Sequence, residues 1–201
     1  MIKSIDFYFD FISPYSYLAH KKIELIKEKK NIDFNYKPVL VGGLHNLQGI
    51  TAPAFVKHKL KHMISDCELI AKKNSSVFKW NSKFPLNSLN IMRGYVFVND
   101  EIKSLYLNIM FDAYWKDNID ISNEETLIIL LEKCNIEKKI FLEGIKNQKI
   151  KDKLKLFTQK AYNKEIFGVP TFLVDNKVFW GQDRLEFALD LSLIHISEPT
   201  R

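Results

Sequence analysis

Strand-type alternation is confined to the two ends of this chain, and the long stretch between them reads as helix. Near the start, Ile5, Phe7, Phe9 and Phe11 fall on one face, with Asp6, Tyr8 and Asp10 on the other. That is the period of two of a half-buried strand. Ser13-Pro14 then predicts a helix start. Ser13 suits the N-cap, and Pro14 suits the first helical position, where a missing N–H costs nothing. Leu18, Ala19, Ile23 and Ile26 recur at helical spacing, the polar run from Lys27 to Lys30 supplies a stop, and residues 33–40 read as a second strand. A strand–helix–strand unit makes the two strands parallel with a right-handed crossover. At the far end, residues 171–174 and 177–180 are predicted to pair as a hairpin about Asp175-Asn176. A last helix is predicted over residues 182–191, with Asp183 in its first turn.

Between about residues 52 and 163 no strand pair is evident. The spacing predicts helices over residues 54–72, 89–98, 102–115, 123–134, 138–147 and 151–163, while Gly42-Gly43 reads only as a turn. The order is therefore βαβ, a helical block, then ββα. The outer pieces can close into one mixed four-strand sheet, so an α/β fold with a helical insertion is expected. Residues 1–45 and 164–190 would form a discontinuous sheet domain and residues 46–163 the insertion.

Composition narrows the function classes. Hydrophobic residues make up 46% and charged residues 27%, which supports a globular core and excludes a disordered chain. Lys+Arg 30 against Asp+Glu 24 leaves a net charge of +6. The basic residues are scattered over the helices without interleaved aromatics, so nucleic-acid binding is not expected. No run approaches the roughly 20 apolar residues that a bilayer span needs. Met1-Ile2-Lys3 runs into Asp6 and Asp10 without an apolar signal-type core, and a cytoplasmic protein is expected. Cys67 and Cys134 lie far apart and outside any CxxC, so no disulfide framework is expected. His58 and His62 are four apart but lack a third ligand and the Glu of HExxH, and no metal site is assigned.

Four motifs carry a resemblance. Residues Phe7 to Leu18 read FYFDFISPYSYL; Phe84-Pro85-Leu86-Asn87-Ser88-Leu89 is followed by Met92-Arg93-Gly94; Ala113-Tyr114-Trp115 follows; and Phe167-Gly168-Val169-Pro170-Thr171-Phe172 precedes Phe179-Trp180-Gly181-Gln182-Asp183-Arg184. In this order they resemble the 2-hydroxychromene-2-carboxylate isomerases, in the kappa-class glutathione transferase branch of the thioredoxin-like superfamily. The resemblance implies a thioredoxin-like fold interrupted by a helical domain, which agrees with the element order. It implies glutathione as cofactor, a small aromatic or electrophilic carboxylate as substrate, and a homodimer.

In redox relatives of this fold a CxxC opens the first helix. Here Ser13-x-x-Ser16 stands there, and without sulfur no dithiol exchange is available. The electropositive helix end remains able to favour a thiolate brought from outside. On spacing alone Ser13 is more readily a plain N-cap; the resemblance reverses this and makes it the catalytic residue, donating O–H to the glutathione sulfur. Val169 and Pro170 are implied to pair with the cysteinyl portion of the tripeptide across a cis bond, against the alternative of an ordinary loop proline. Gln182, Asp183 and Arg184 are implied to meet the γ-glutamyl group, and Lys59 the glycine carboxylate. All four also suit ordinary surface positions. Tyr17, Asn87 and Trp115 are implied in the substrate pocket, with a core position the alternative for Trp115. One departure stands out: relatives often carry Asn where this chain has Ile50, and Asn46 or Thr51 would have to substitute.

The chemistry implied is isomerisation of a conjugated aromatic keto acid by reversible thiolate addition, bond rotation and elimination. A kappa-like transferase and a non-catalytic glutathione- or peptide-binding module are the alternatives. Residues 191–201, LSLIHISEPTR, resemble a translated sequencing adapter, so the natural sequence is expected to continue differently beyond Asp190.

Overall fold

A computed structural model describes residues 4–29 and 32–194. The chain runs β1 (Ile5–Phe9), α1 (Pro14–Lys29), β2 (Phe34–Pro38), α2 (Val41–Gln48), α3 (Lys57–Lys73), α4 (Leu89–Phe97), α5 (Asp100–Trp115), α6 (Glu124–Lys133), α7 (Lys138–Lys146), α8 (Gln148–Asn163), β3 (Thr171–Val174), β4 (Lys177–Trp180) and α9 (Leu185–Ile194). Short 3-10 turns stand at Pro53–Phe55 and Gln182–Arg184. The four strands form one sheet in the order β2-β1-β3-β4. β1 and β2 are parallel, with Phe7 opposite Tyr36; β3 lies antiparallel to both β1 and β4. This is the expected thioredoxin-like mixed sheet with helices between its halves.

The strand alternation is more buried than its polar face suggested. Ile5, Phe7, Phe9 and Phe11 enter the main core, where Phe7 stacks on Phe172 and Phe11 meets Tyr106 and Phe111 of α5. Tyr8, on the opposite face, is also buried, among Val39, Leu44, Ala161, Ile166, Val169 and Leu173. Apolar side chains from α2 and the end of α8 supply that second layer, so the sheet is covered on both sides. The main core runs without a break from the sheet into the helical block.

Two elements differ from expectation. Gly42-Gly43, read as a turn, lies inside α2. Gly43 brings α2 close to α8, since a Cβ there would stand 3.2 Å from Thr158 Cγ2. α2 also lacks a cap from its own N-cap residue; its first N–H is met by a carboxylate 31 positions earlier, which no local pattern discloses. The last helix begins only after the 3-10 turn and continues through a buried Ser192 to Ile194. Most of the adapter-like segment, residues 195–201, lies outside the described residues. Among the described residues no helix is long and apolar enough to cross a membrane.

Candidate active site

The loop after β1, the N-terminus of α1, α2, the start of α3, residues 84–89 and the loop before β3 enclose a cavity of ≈ 770 Å³. Ser13 stands at its base. It caps α1 as expected, its Oγ accepting from the Ser16 N–H at 3.1 Å. The same hydroxyl donates to the Val169 carbonyl at 3.3 Å. The chain segments 156 positions apart thus meet at the helix N-terminus, where the helix dipole favours an anion. Val169-Pro170 is cis, as is Phe84-Pro85. The Val169 N–H has no hydrogen bond among the described residues. The loop is braced by Thr171 Oγ1, which donates to the Gly168 carbonyl at 2.7 Å, and by the Gly181 N–H, which donates to the Pro170 carbonyl at 2.9 Å.

Lys59 and Asn87 also line the cavity. Lys59 reaches it from an exposed position on α3. Asn87 Oδ1 accepts from the Leu89 N–H at 2.9 Å, and its NH2 has no hydrogen bond among the described residues. Ile50 and Thr51 are in the wall, whereas Asn46 is not.

The remaining expected residues are placed elsewhere. Gln182, Asp183 and Arg184 form the 3-10 turn two positions beyond the cavity-lining Trp180, and do not themselves line the cavity. Arg184 pairs with Asp183 at 3.6 Å. Tyr17 is in the core, its hydroxyl donating to the Val77 carbonyl at 2.7 Å. Trp115 is 0% exposed, stacked on Phe78, and donates Nε1–H to the Phe11 carbonyl at 2.8 Å. Neither ring reaches the cavity wall. Trp115 instead braces the segment that leads to Ser13, while Tyr17 ties α1 to Val77. Ser16 is likewise fully buried.

The cavity includes groups that the sequence patterns did not single out. Asp10, 1% exposed, lies at the junction of its walls. It accepts from the Ile12 N–H at 3.1 Å and the Val41 N–H at 2.9 Å, and takes a hydrogen bond from the Ser88 side chain. One carboxylate thereby joins the Ser13 loop, the start of α2 and the helical block. Burial pushes its pKa up to about 6, against the lowering effect of these three donors. His45 and Trp180 complete the wall. Trp180 packs against Phe167 with ring centroids 4.9 Å apart, and Gly168 permits this approach, since a Cβ there would stand 2.8 Å from Trp180 Nε1. Both Asp10 and Trp180 lie within the resemblance motifs, but nothing local marks either as a cavity residue. Among the described residues no three His, Cys, Asp or Glu side chains gather as a metal site.

A thioredoxin-type sheet whose first helix opens on serine, facing a proline loop across a preformed cavity, defines a thioredoxin-like protein without a redox pair. Residues 4–191 match the family model of the DSBA-like thioredoxin domain, and the chain belongs to that family. Within it, 2-hydroxychromene-2-carboxylate isomerase of Sphingobium xenophagum is 28% identical over 189 residues, covering 93% of this chain and 96% of the relative. Glutathione S-transferase kappa 1 of Homo sapiens is 24% identical over 204 residues, covering 94% and 90%. The fold matches a solved 2-hydroxychromene-2-carboxylate isomerase with a TM-score of 0.86 at 24% identity, over 96% of this chain and 95% of that one. The curated relatives are enzymes, isomerases first and kappa transferases second.

Proposed function

We propose that this chain is a glutathione-dependent isomerase of conjugated aromatic keto acids, acting on compounds of the 2-hydroxychromene-2-carboxylate type to give the trans-o-hydroxybenzylidenepyruvate type. The observation that carries the reading is the Ser13 hydroxyl at the N-terminus of α1, opposite the Val169 backbone, in a cavity with no cysteine in its lining. On this reading the thiolate comes from outside, and the serine-capped helix N-terminus supports it. Glutathione, when bound, supplies the thiol that adds reversibly to the conjugated double bond and lets it rotate.

The chain's own residues do the rest. Ser13 turns its O–H from the Val169 carbonyl toward the sulfur, which holds the sulfur ionised and frees that carbonyl for a peptide N–H. The unpaired Val169 N–H is the matching donor. Lys59 supplies a cation for the glycine carboxylate. Gln182, Asp183 and Arg184 hold the γ-glutamyl end from outside the cavity, beyond Trp180. Asn87 contributes its NH2 to the substrate. The apolar wall excludes water, which strengthens each of these contacts. A reducing cytoplasm, where glutathione is abundant and thiols stay free, suits this reading and the two unpaired cysteines.

The test is Ser13→Ala. The fold is expected to survive, with a cap loss of about 1 kcal/mol, while glutathione-dependent turnover falls by about tenfold or more. Unchanged turnover would sink the assignment. The kappa relatives favour a second reading, a transferase. Product mass separates the two: isomerisation leaves mass unchanged and consumes no glutathione. A binding module would turn over neither substrate.

A further inference from the structure

His45 is the cavity residue with no assigned partner or role. It lies on α2, four residues beyond Val41, on the same helix face; both line the cavity. Val41 is tied to Asp10 beside the Ser13 loop. At 1.5 Å per residue, His45 therefore stands about 6 Å further along the helix axis than that anchor. Its Nδ1 is buried without a hydrogen-bond partner among the described residues. An orphaned N–H is a group without an outlet, so the proton belongs on Nε2, which is also the intrinsically preferred tautomer. Nε2 is not sealed in this way, and the residue that carries it lines the cavity. Burial lowers the His45 pKa, so the ring is neutral near pH 7.

The surrounding wall is largely aliphatic and aromatic: Ile12, Leu40, Ile50, Met63, Phe84 and Leu86. Of the other polar groups there, Asp10 is consumed by its three donors and Ser13 is reserved for sulfur. With Lys59 assigned to the glycine carboxylate, His45 and the Asn87 NH2 are neutral N–H donors in a largely apolar wall, and such donors select among ligands by whether they bring an acceptor. We propose that His45 is a specificity-determining residue that donates Nε2–H to a carboxylate oxygen of the aromatic electrophile, making the cavity a site for aromatic carboxylates rather than for aromatic hydrocarbons. The inference deepens the isomerase reading and rests on it for the identity of the electrophile. Lys59 and Asp10 are the charged groups on the same cavity; neither occupies the His45 ring.

The experiment uses the full chain loaded with glutathione and trans-cinnamate, an unreactive aromatic carboxylate, as probe. Histidine labelled with nitrogen-15 is expected to show the Nε2 resonance of His45 shifting on titration. His45→Phe is expected to weaken cinnamate binding about tenfold, and His45→Gln, which keeps an N–H donor, to recover it to within about threefold. Binding of trans-β-methylstyrene, which lacks the carboxylate, is expected to be equal in wild type and His45→Phe. Equal cinnamate affinity in wild type and His45→Phe overturns the inference, and so does a wild type that does not bind cinnamate. A wild type that binds cinnamate through His45 but isomerises no keto acid sinks the isomerase reading and leaves the carboxylate subsite standing.

Discussion

Asp10→Asn tests the cavity's central anchor, because two opposing effects there depend differently on pH. The wild-type carboxylate receives the Ile12 N–H, the Val41 N–H and the Ser88 side chain. An asparagine keeps one acceptor oxygen and turns an NH2 toward one of these donors, leaving a buried N–H unpaired at a cost of about 1–3 kcal/mol. That cost does not vary with pH. The carboxylate carries a separate cost that does. Its pKa is about 6 in the folded chain against 3.8 for a solvated Asp. The folded state therefore binds the proton more tightly, and its stability from this group is present at low pH and lost as pH rises through 6. Between about pH 4.5 and 7.5 the wild type loses about 2 kcal/mol through Asp10, and Asp10→Asn loses none.

The stability gap between the two proteins should accordingly shrink by about 2 kcal/mol over that range, or about 4–8 °C in Tm for a chain of this size. The measurement is thermal or urea unfolding of both proteins at matched pH. Matching is needed because His20, buried between Tyr36 and Asn108, has a pKa pushed down to about 4 chiefly by burial and destabilises the fold in the opposite direction on acidification. It does so in both proteins and cancels in the difference. Parallel pH curves would refute the reasoning, since they would mean that Asp10 is already ionised without cost in the fold.

Further outcomes follow from the same geometry. Trp115→Phe leaves the Phe11 carbonyl without its indole donor, and a loss of about 1–3 kcal/mol in unfolding free energy is expected with the substrate KM unchanged; a raised KM without loss of stability would restore a stacking role. Gly94→Ala in α4 would drive a Cβ into the Tyr106 hydroxyl and the Phe141 ring, and about 1–3 kcal/mol of overpacking should appear as a lower urea midpoint. A midpoint equal to wild type would show that the α4–α5–α7 contact relaxes freely.

Much of the fold was legible because it is written in local periodicity. The aromatic alternation of β1, the Ser13-Pro14 start of α1, the Asp175-Asn176 turn and the six later helices each declare themselves within a short window. Helix ends were less legible, and for a physical reason: Asn99 and Asn147 cap α5 and α8 ahead of their first apolar repeats, so both helices begin earlier than the periodicity suggests. α2 escaped altogether. Its glycines are poor helix formers, and its first N–H is satisfied by Asp10 from another element.

The same division runs through the site. That the first helix opens on serine instead of cysteine, that a proline loop precedes the third strand, and that both sit in a thioredoxin-like order with helices between are all written in the sequence. These are properties of type and spacing, readable one segment at a time. Which side chains share a cavity is set by the three-dimensional packing. It drew Tyr17 and Trp115 into the core, left Gln182, Asp183 and Arg184 outside the cavity wall, and brought Asp10 and His45 into that wall. Burial is the cause on both counts: Tyr17 and Trp115 join the main core, and a second layer covers the other face of the sheet. That layer depends on α2 and α8 folding back over β1, a contact between residues far apart in the chain that no local pattern encodes.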